Sequence, residues 1–226
     1  MTLNVVRFFD RARDALLVAS DLEAAGVPRA DISIMANNSE DWYRDGELDE
    51  TRLESHRHVQ ETKHVVHDDR GNATGTGATL GGLIGGGAGV MAGLGMLAIP
   101  GIGPLVAVGW LATAAAGLAA GAVAGGVLGG LVDVLTGQGV TKEDATVYVE
   151  GVRRGGALVT ARIPAAMAQQ VEAIMERRNA IEAHTLRDYY GRNNWEGFDE
   201  TAAPLTEADI KAEREALRRY PSTPRT

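Results

Sequence analysis

Cysteine is absent from this 226-residue chain, which excludes disulfides, thiolate catalysis and cysteine-based metal sites. Aromatic residues are scarce at 5%. A basic stripe is also missing: the formal net charge is −8, which argues against nucleic acid as a partner. The same balance argues against simple electrostatic adhesion to anionic lipid. Only five serines occur (Ser20, Ser33, Ser39, Ser55 and Ser222), and none sits in a nucleophile-elbow sequence. Glycine-rich "TGTGATLGG" follows no strand, and the block around it holds no lysine, so neither dinucleotide nor P-loop phosphate binding is expected. Adjacent acids such as Asp49–Glu50 and Asp68–Asp69 read as solvated charge. No catalytic set emerges, and the chain reads as non-enzymatic, without a cofactor. The charged opening "MTLNVVRFFDRARDALL" lacks the apolar core of a signal peptide and reads as cytoplasmic.

Charge is distributed unevenly. Residues 1–70 carry 15 acids and 9 bases, residues 133–226 carry 15 acids and 13 bases, and residues 71–132 carry no charged side chain. The charged flanks read as an α+β domain in two halves. β-Branched and aromatic "LNVVRFF" (3–9) predicts a strand. Residues 11–26 follow helical spacing, with Ala12, Ala15, Leu16, Ala19 and Leu22 on one face and Gly26 as a stop. "ADISIMAN" predicts a second strand. Beyond the charge-free block, "GALVTARI" (156–163) predicts a strand and residues 164–180 a helix opened by Pro164, its apolar stripe formed by Met167, Val171, Ile174 and Met175. "IEAHTLR" (181–187) is a third strand candidate. "TKEDATVYVEGVRRGG" reads as a short helix capped by Thr141, with acids at its start and Arg153 and Arg154 at its end.

Two side-by-side β-α-β patterns point to a split ferredoxin-like sandwich, βαβ plus αβαβ. The division expected is a first half at 1–37, a polar linker at 38–74, the charge-free insert at 75–136, a second half at 137–187 and a polar tail at 188–226. Within the tail, "TEADIKAEREALRRYP" (206–221) predicts a capped, charged helix that docks on the domain or floats.

The insert reads as a glycine-zipper α-helical hairpin. Leu80–Ile99 is 20 residues long, about 30 Å as a helix, which is bilayer thickness. Leu105–Val132 is a second run of spanning length, with Trp110 near the turn. Pro100, Gly101, Gly103 and Pro104 would form the hairpin turn. Gly77, Gly81, Gly85, Gly89 and Gly93 recur every fourth residue, as do Gly109, Gly117, Gly121, Gly125 and Gly129 with Thr113 in the gap. Such ladders place glycine on one helix face and allow close backbone packing. Nine large apolar side chains in the first run give only about −3 to −5 kcal/mol of insertion drive. Three readings follow: a membrane hairpin contacting the lipid bilayer, a soluble homo-oligomer burying the ladders between subunits, or a segment without fixed structure. Spanning would place the protein in the bacterial inner membrane with both termini cytoplasmic; the alternative is a cytoplasmic protein.

His56, His58, His64 and His67 crowd the linker beside Asp68 and Asp69. Imidazole with carboxylate suits zinc, nickel or copper, yet the spacing matches no strong metal signature, and a solvated linker is the plainer reading. A pH-responsive role is a third, and a small-molecule ligand stays unassigned. Trp42, Tyr43, Tyr189, Tyr190 and Trp195 sit in polar stretches and read as ordinary packing or as docking anchors.

"LEAAGV" (22–27), "AIPGIGPLVAVG" (98–109), "KEDATVYVEGVRRGGALVTARI" (142–163) and "NNWEGFDE" (193–200) together resemble bacterial general stress proteins of the heat-induced type. The resemblance covers residues 3–36 and 75–200, and "YVEGVRRGG" is its most specific part. The His-rich stretch and the C-terminal helix depart from the pattern. The resemblance implies stress-linked expression and brings no catalytic residue or cofactor. The function expected is therefore a self-assembling, membrane-associated stress-response protein. The alternative is a soluble ligand- or metal-binding sensor, or an oligomeric scaffold.

Overall fold

The computed structural model describes residues 2–44, 47–48, 95–99, 101–112, 126–199 and 201–220. Strand β1 (Thr2–Phe9) leads into helix α1 (Ala12–Ala24), which ends where Gly26 adopts φ +95°, and the chain returns as β2 (Ile32–Asn37). A small antiparallel pair, β3 (Tyr43–Arg44) and β4 (Glu47–Leu48), follows. The chain re-enters as β5 (Gly95–Ile99) and β6 (Gly103–Val108). Helices α2 (Gly126–Thr136) and α3 (Lys142–Arg153) precede β7 (Ala157–Pro164). Helices α4 (Ala168–Arg177), α5 (Ala183–Arg192) and α6 (Glu207–Arg219) complete the described chain.

The protein is a mixed α/β fold on an antiparallel sheet of order β1-β7-β2-β6-β5. The sequence pattern places β1, α1, β2, α3, β7, α4 and α6 within a few residues of their observed bounds. Thr141 caps α3 through its hydroxyl, which accepts the Asp144 N–H. The two β-α-β units interleave: β7 pairs with both β1 and β2, and β2 with both β7 and β6.

A ferredoxin-like sandwich has one helical layer, whereas here both sheet faces are covered. Val5, Phe9, Ile34 and Val159 pack under Val18 and Leu22 of α1 and Val171 and Met175 of α4. On the other face, Val6, Phe8, Met35, Leu105 and Leu158 meet α2, α3 and α5 through Leu135, Val149, Val152, Leu186 and Tyr190. All of β2 is consequently buried, its polar Ser33 and Asn37 included.

The insert departs from the expected helical hairpin. Residues 95–99 and 103–108 are strands, and β6 pairs along Ile34–Asn37 inside the sheet, so neither charge-free run is one continuous helix. Gly101 and Gly103, at φ +78° and +94°, close a tight β-turn where a break between helices was expected. Pro104 is the second residue of β6 and pairs with Ala98, while Pro100 lies outside the described residues. No helix among the described residues is long and apolar enough to cross a membrane. Residues 181–187 also depart from expectation. Ile181 makes a single bridge to Phe8, and α5 starts two residues later.

Candidate functional site

Sequence and structure converge on "YVEGVRRGG" (148–156), where α3 ends and turns into β7. Glu150 lies on the inward side of α3 at 1% exposure, and desolvating a carboxylate there requires partners. They come from the helix's own last turn. Arg153 Nη1 donates to Glu150 Oε1 at 3.2 Å and Arg154 Nε donates at 2.5 Å. Arg154 reaches on to Glu213 of α6 at 2.8 Å, and its guanidinium lies 4.5 Å from the Tyr190 ring centroid. Burial disfavours the Arg154 cation, but the charges and hydrogen bonds of Glu150 and Glu213 outweigh it and hold its proton more tightly than usual.

The glycines of the motif make room. The Phe8 ring, 2% exposed, lies against both Gly151 and Gly156. A β-carbon on Gly151 would meet the ring at 2.6 Å, and one on Gly156 would overlap it more deeply. Gly155 adopts φ +93° to turn the chain under Ile210 of α6. Three glycines around two arginines therefore form a turn that admits an aromatic ring from below and a helix from above.

Helix α6 docks on this surface through Ile210, Arg214 and Leu217, one face at i, i+4 and i+7. Arg214, 8% exposed, donates to the Asp10 carbonyl at 2.8 Å and grips Glu40 bidentately at 2.8 and 2.7 Å. Arg218 pairs with the Asp10 carboxylate and lies 3.9 Å from Asp14. The cleft among Phe8, Asp10, Arg154, Tyr190, Glu213 and Arg214 offers about 10 Å³, the room of a single water. Four arginines thus face five carboxylates in a clasp that joins β1, the β2–β3 connection, α3 and α6. Its chemistry is that of a joint between segments.

Arg153 extends the clasp to the insert. Its Nε donates to the Gly101 carbonyl in the β5–β6 turn at 2.9 Å, and its Nη2 donates to the Ala203 carbonyl in the tail at 3.1 Å. The Phe198 ring centroid lies 5.9 Å from its guanidinium carbon.

The residues singled out from the sequence fall elsewhere. Gly109 is not a helix-packing glycine. It sits at φ +83° just after β6, where a β-carbon would come within 2.5 Å of the Ile32 carbonyl and 2.6 Å of the Ser33 hydroxyl. Gly129 lies in α2. Gly77, Gly81, Gly85, Gly89, Gly93, Gly117, Gly121 and Gly125 lie outside the described residues, as do His56, His58, His64 and His67. Tyr43, Tyr189 and Tyr190 are core side chains, and the Trp42 indole donates to the Asn37 carbonyl at 2.6 Å. Sequence reasoning missed the buried role of Glu150, because an acid at the end of a charged helix reads as solvated. The signal available was its i+3 and i+4 spacing from two arginines, immediately before paired glycines.

Compared with protein-family models, with curated proteins and with solved structures, the chain matches none.

Proposed function

We propose that this protein is a non-enzymatic scaffold of the stress-response type, in which the α/β domain is a rigid base and the glycine ladders of the insert pack between subunits. One observation carries the reading: the domain takes strands β5 and β6 from inside the charge-free block. The first ladder (77–93) ends two residues before β5, and the second, with Gly109 set aside, runs from Gly117 into α2. The stretches that carry the ladders, 49–94 and 113–129, are therefore each joined at both ends to one base.

The same anchoring favours protein over lipid as the surface the ladders meet. A segment that leaves a domain and returns to it crosses a bilayer an even number of times. Two helical crossings need roughly 40 apolar residues. The charge-free stretch before β5, residues 71–94, has 24, enough for one. Between Ala112 and Gly126 the chain has 13 residues, and α2 beyond them buries Leu131 and Leu135 in the domain core. A crossing by each stretch would put β5 and β6 across the bilayer from the sheet that contains them. Self-association through close glycine packing meets no such obstacle. The resemblance of "YVEGVRRGG" and its neighbours to general stress proteins supplies the stress-response part of the reading.

Size-exclusion chromatography with light scattering tests the proposal on the wild type and on Gly85→Leu with Gly121→Leu. The wild type is expected as a homo-oligomer and the double variant as a smaller species with an unchanged circular dichroism spectrum. An unchanged assembly would overturn the ladder packing. Retention of the expressed wild type in a carbonate-washed membrane pellet, released only by detergent, would replace it with the inner-membrane reading.

A further inference from the structure

We propose that the tail from Trp195 to Arg219 is a releasable strap that clamps the β5–β6 hairpin onto the sheet, with Arg153 as the joint between them. The turn is gripped from two sides. From the sheet, the Asn37 side chain donates to the Ile102 carbonyl at 3.2 Å. From the tail, Pro204 lies directly over Gly103, where an added β-carbon would meet it at 3.3 Å. Arg153 closes the arrangement. One guanidinium holds the turn through Gly101, the tail through Ala203 and the core through Glu150. Displacing the tail removes Ala203 and Phe198 from that guanidinium and Pro204 from the turn together.

The strap is built to detach. Helix α6 joins no sheet and is held by side chains alone: three on its inner face and a set of ion pairs at its rim. The outer member of each pair is solvent-accessible, Arg218 at 46% and Glu40 at 31%, while the inner members Asp10 and Arg214 are each 9% exposed, so salt reaches the pairs from the outer side only. The helix carries its own capping box, Thr206 with Asp209, so its first turn is satisfied whether docked or free. An element of this kind opens locally before the core does. What its release frees is the base of the glycine-rich insert. In that respect the inference deepens the scaffold reading and rests on it, whereas the coupling itself does not.

Hydrogen exchange with mass spectrometry on the full chain tests the strap. Ile210, 1% exposed, anchors α6, so Ile210→Asp unseats the helix. The expected result is at least about tenfold faster exchange in α6 and in residues 95–108, with β1 and β7 as protected as in the wild type. Arg153→Gln should accelerate 95–108 while α6 stays protected, and adding Ile210→Asp to it should accelerate 95–108 by less than Ile210→Asp does in the wild type, since only the Pro204 contact is left to lose. Unchanged protection of 95–108 in Ile210→Asp would overturn the proposal, and so would simultaneous loss in β1 and β7, which would make α6 part of the core. Light scattering on the same samples reports the oligomer separately, so failure of the scaffold reading leaves a distinct signature.

Discussion

Gly151→Ala sets two local effects of opposite sign against each other. Gly151 lies in the last turn of α3 with helical backbone, and glycine there costs about 1 kcal/mol relative to alanine. Propensity alone predicts stabilisation of that size. The environment predicts the reverse. A β-carbon would sit 2.6 Å from Phe8 Cε2, 3.0 Å from Cζ and 3.1 Å from Cδ2, where ordinary contact begins near 3.4 Å. The ring has little room to swing aside, because it is 2% exposed and packed in the core cluster, and Gly156 borders the same ring edge. Overpacking of a rigid core costs about 1–3 kcal/mol, so the net expectation is destabilisation by about 0–2 kcal/mol. For a chain of this length that is a fall in Tm of at most about 8 °C. Chemical denaturation of the wild type, Gly151→Ala, Phe8→Leu and the double variant measures it. Phe8→Leu should itself destabilise, and in its background Gly151→Ala should become neutral or stabilising as the clash disappears. A single Gly151→Ala variant more stable than the wild type would refute the claim that the motif's glycines exist to seat the ring.

The hydroxyl of Thr160 is wholly buried and has no hydrogen-bond partner among the described residues, so the near-isosteric Thr160→Val should stabilise by about 1 kcal/mol in urea unfolding; a loss of stability would mean that the hydroxyl is satisfied in solution. Burial pushes the Tyr148 phenol up to about 12. Folding therefore favours the neutral form: that stability is complete below about pH 10, the unfolded value, and is lost as pH rises through about 12. Tyr148→Phe should flatten the alkaline limb of a denaturation midpoint against pH, and an identical limb would place the sensitivity elsewhere.

Much of the domain was legible in the chain because its signals are local. β-Branched and aromatic residues marked β1, apolar spacing marked α1 and α4, and Thr141 and Thr206 marked the starts of α3 and α6. The misreadings within the charge-free block share one cause. "MLAIPGIGPLVAV" is apolar without a break, and an unbroken apolar run is equally a buried strand pair, a core helix or a membrane span. The clasp was illegible for the complementary reason. Arg154 and Arg214 look like any charges on surface helices, and their burial depends on partners 59 to 204 residues away in the chain.

What the sequence alone determined is the set of elements and their ends, since capping, propensity and periodicity act within a few residues. It also determined the absence of thiol chemistry and the presence of a charge-free block with glycine ladders. Only the tertiary structure decided that the block lends two strands to the sheet. Pairing β6 along β2 satisfies backbone groups that otherwise have no partner, and local sequence cannot name the strand that will provide them. The same holds for the tail. Its helix was written in the chain, but its seat at Asp10, Glu40 and Arg154 exists only once β1, α3 and the turn at Gly155 have come together.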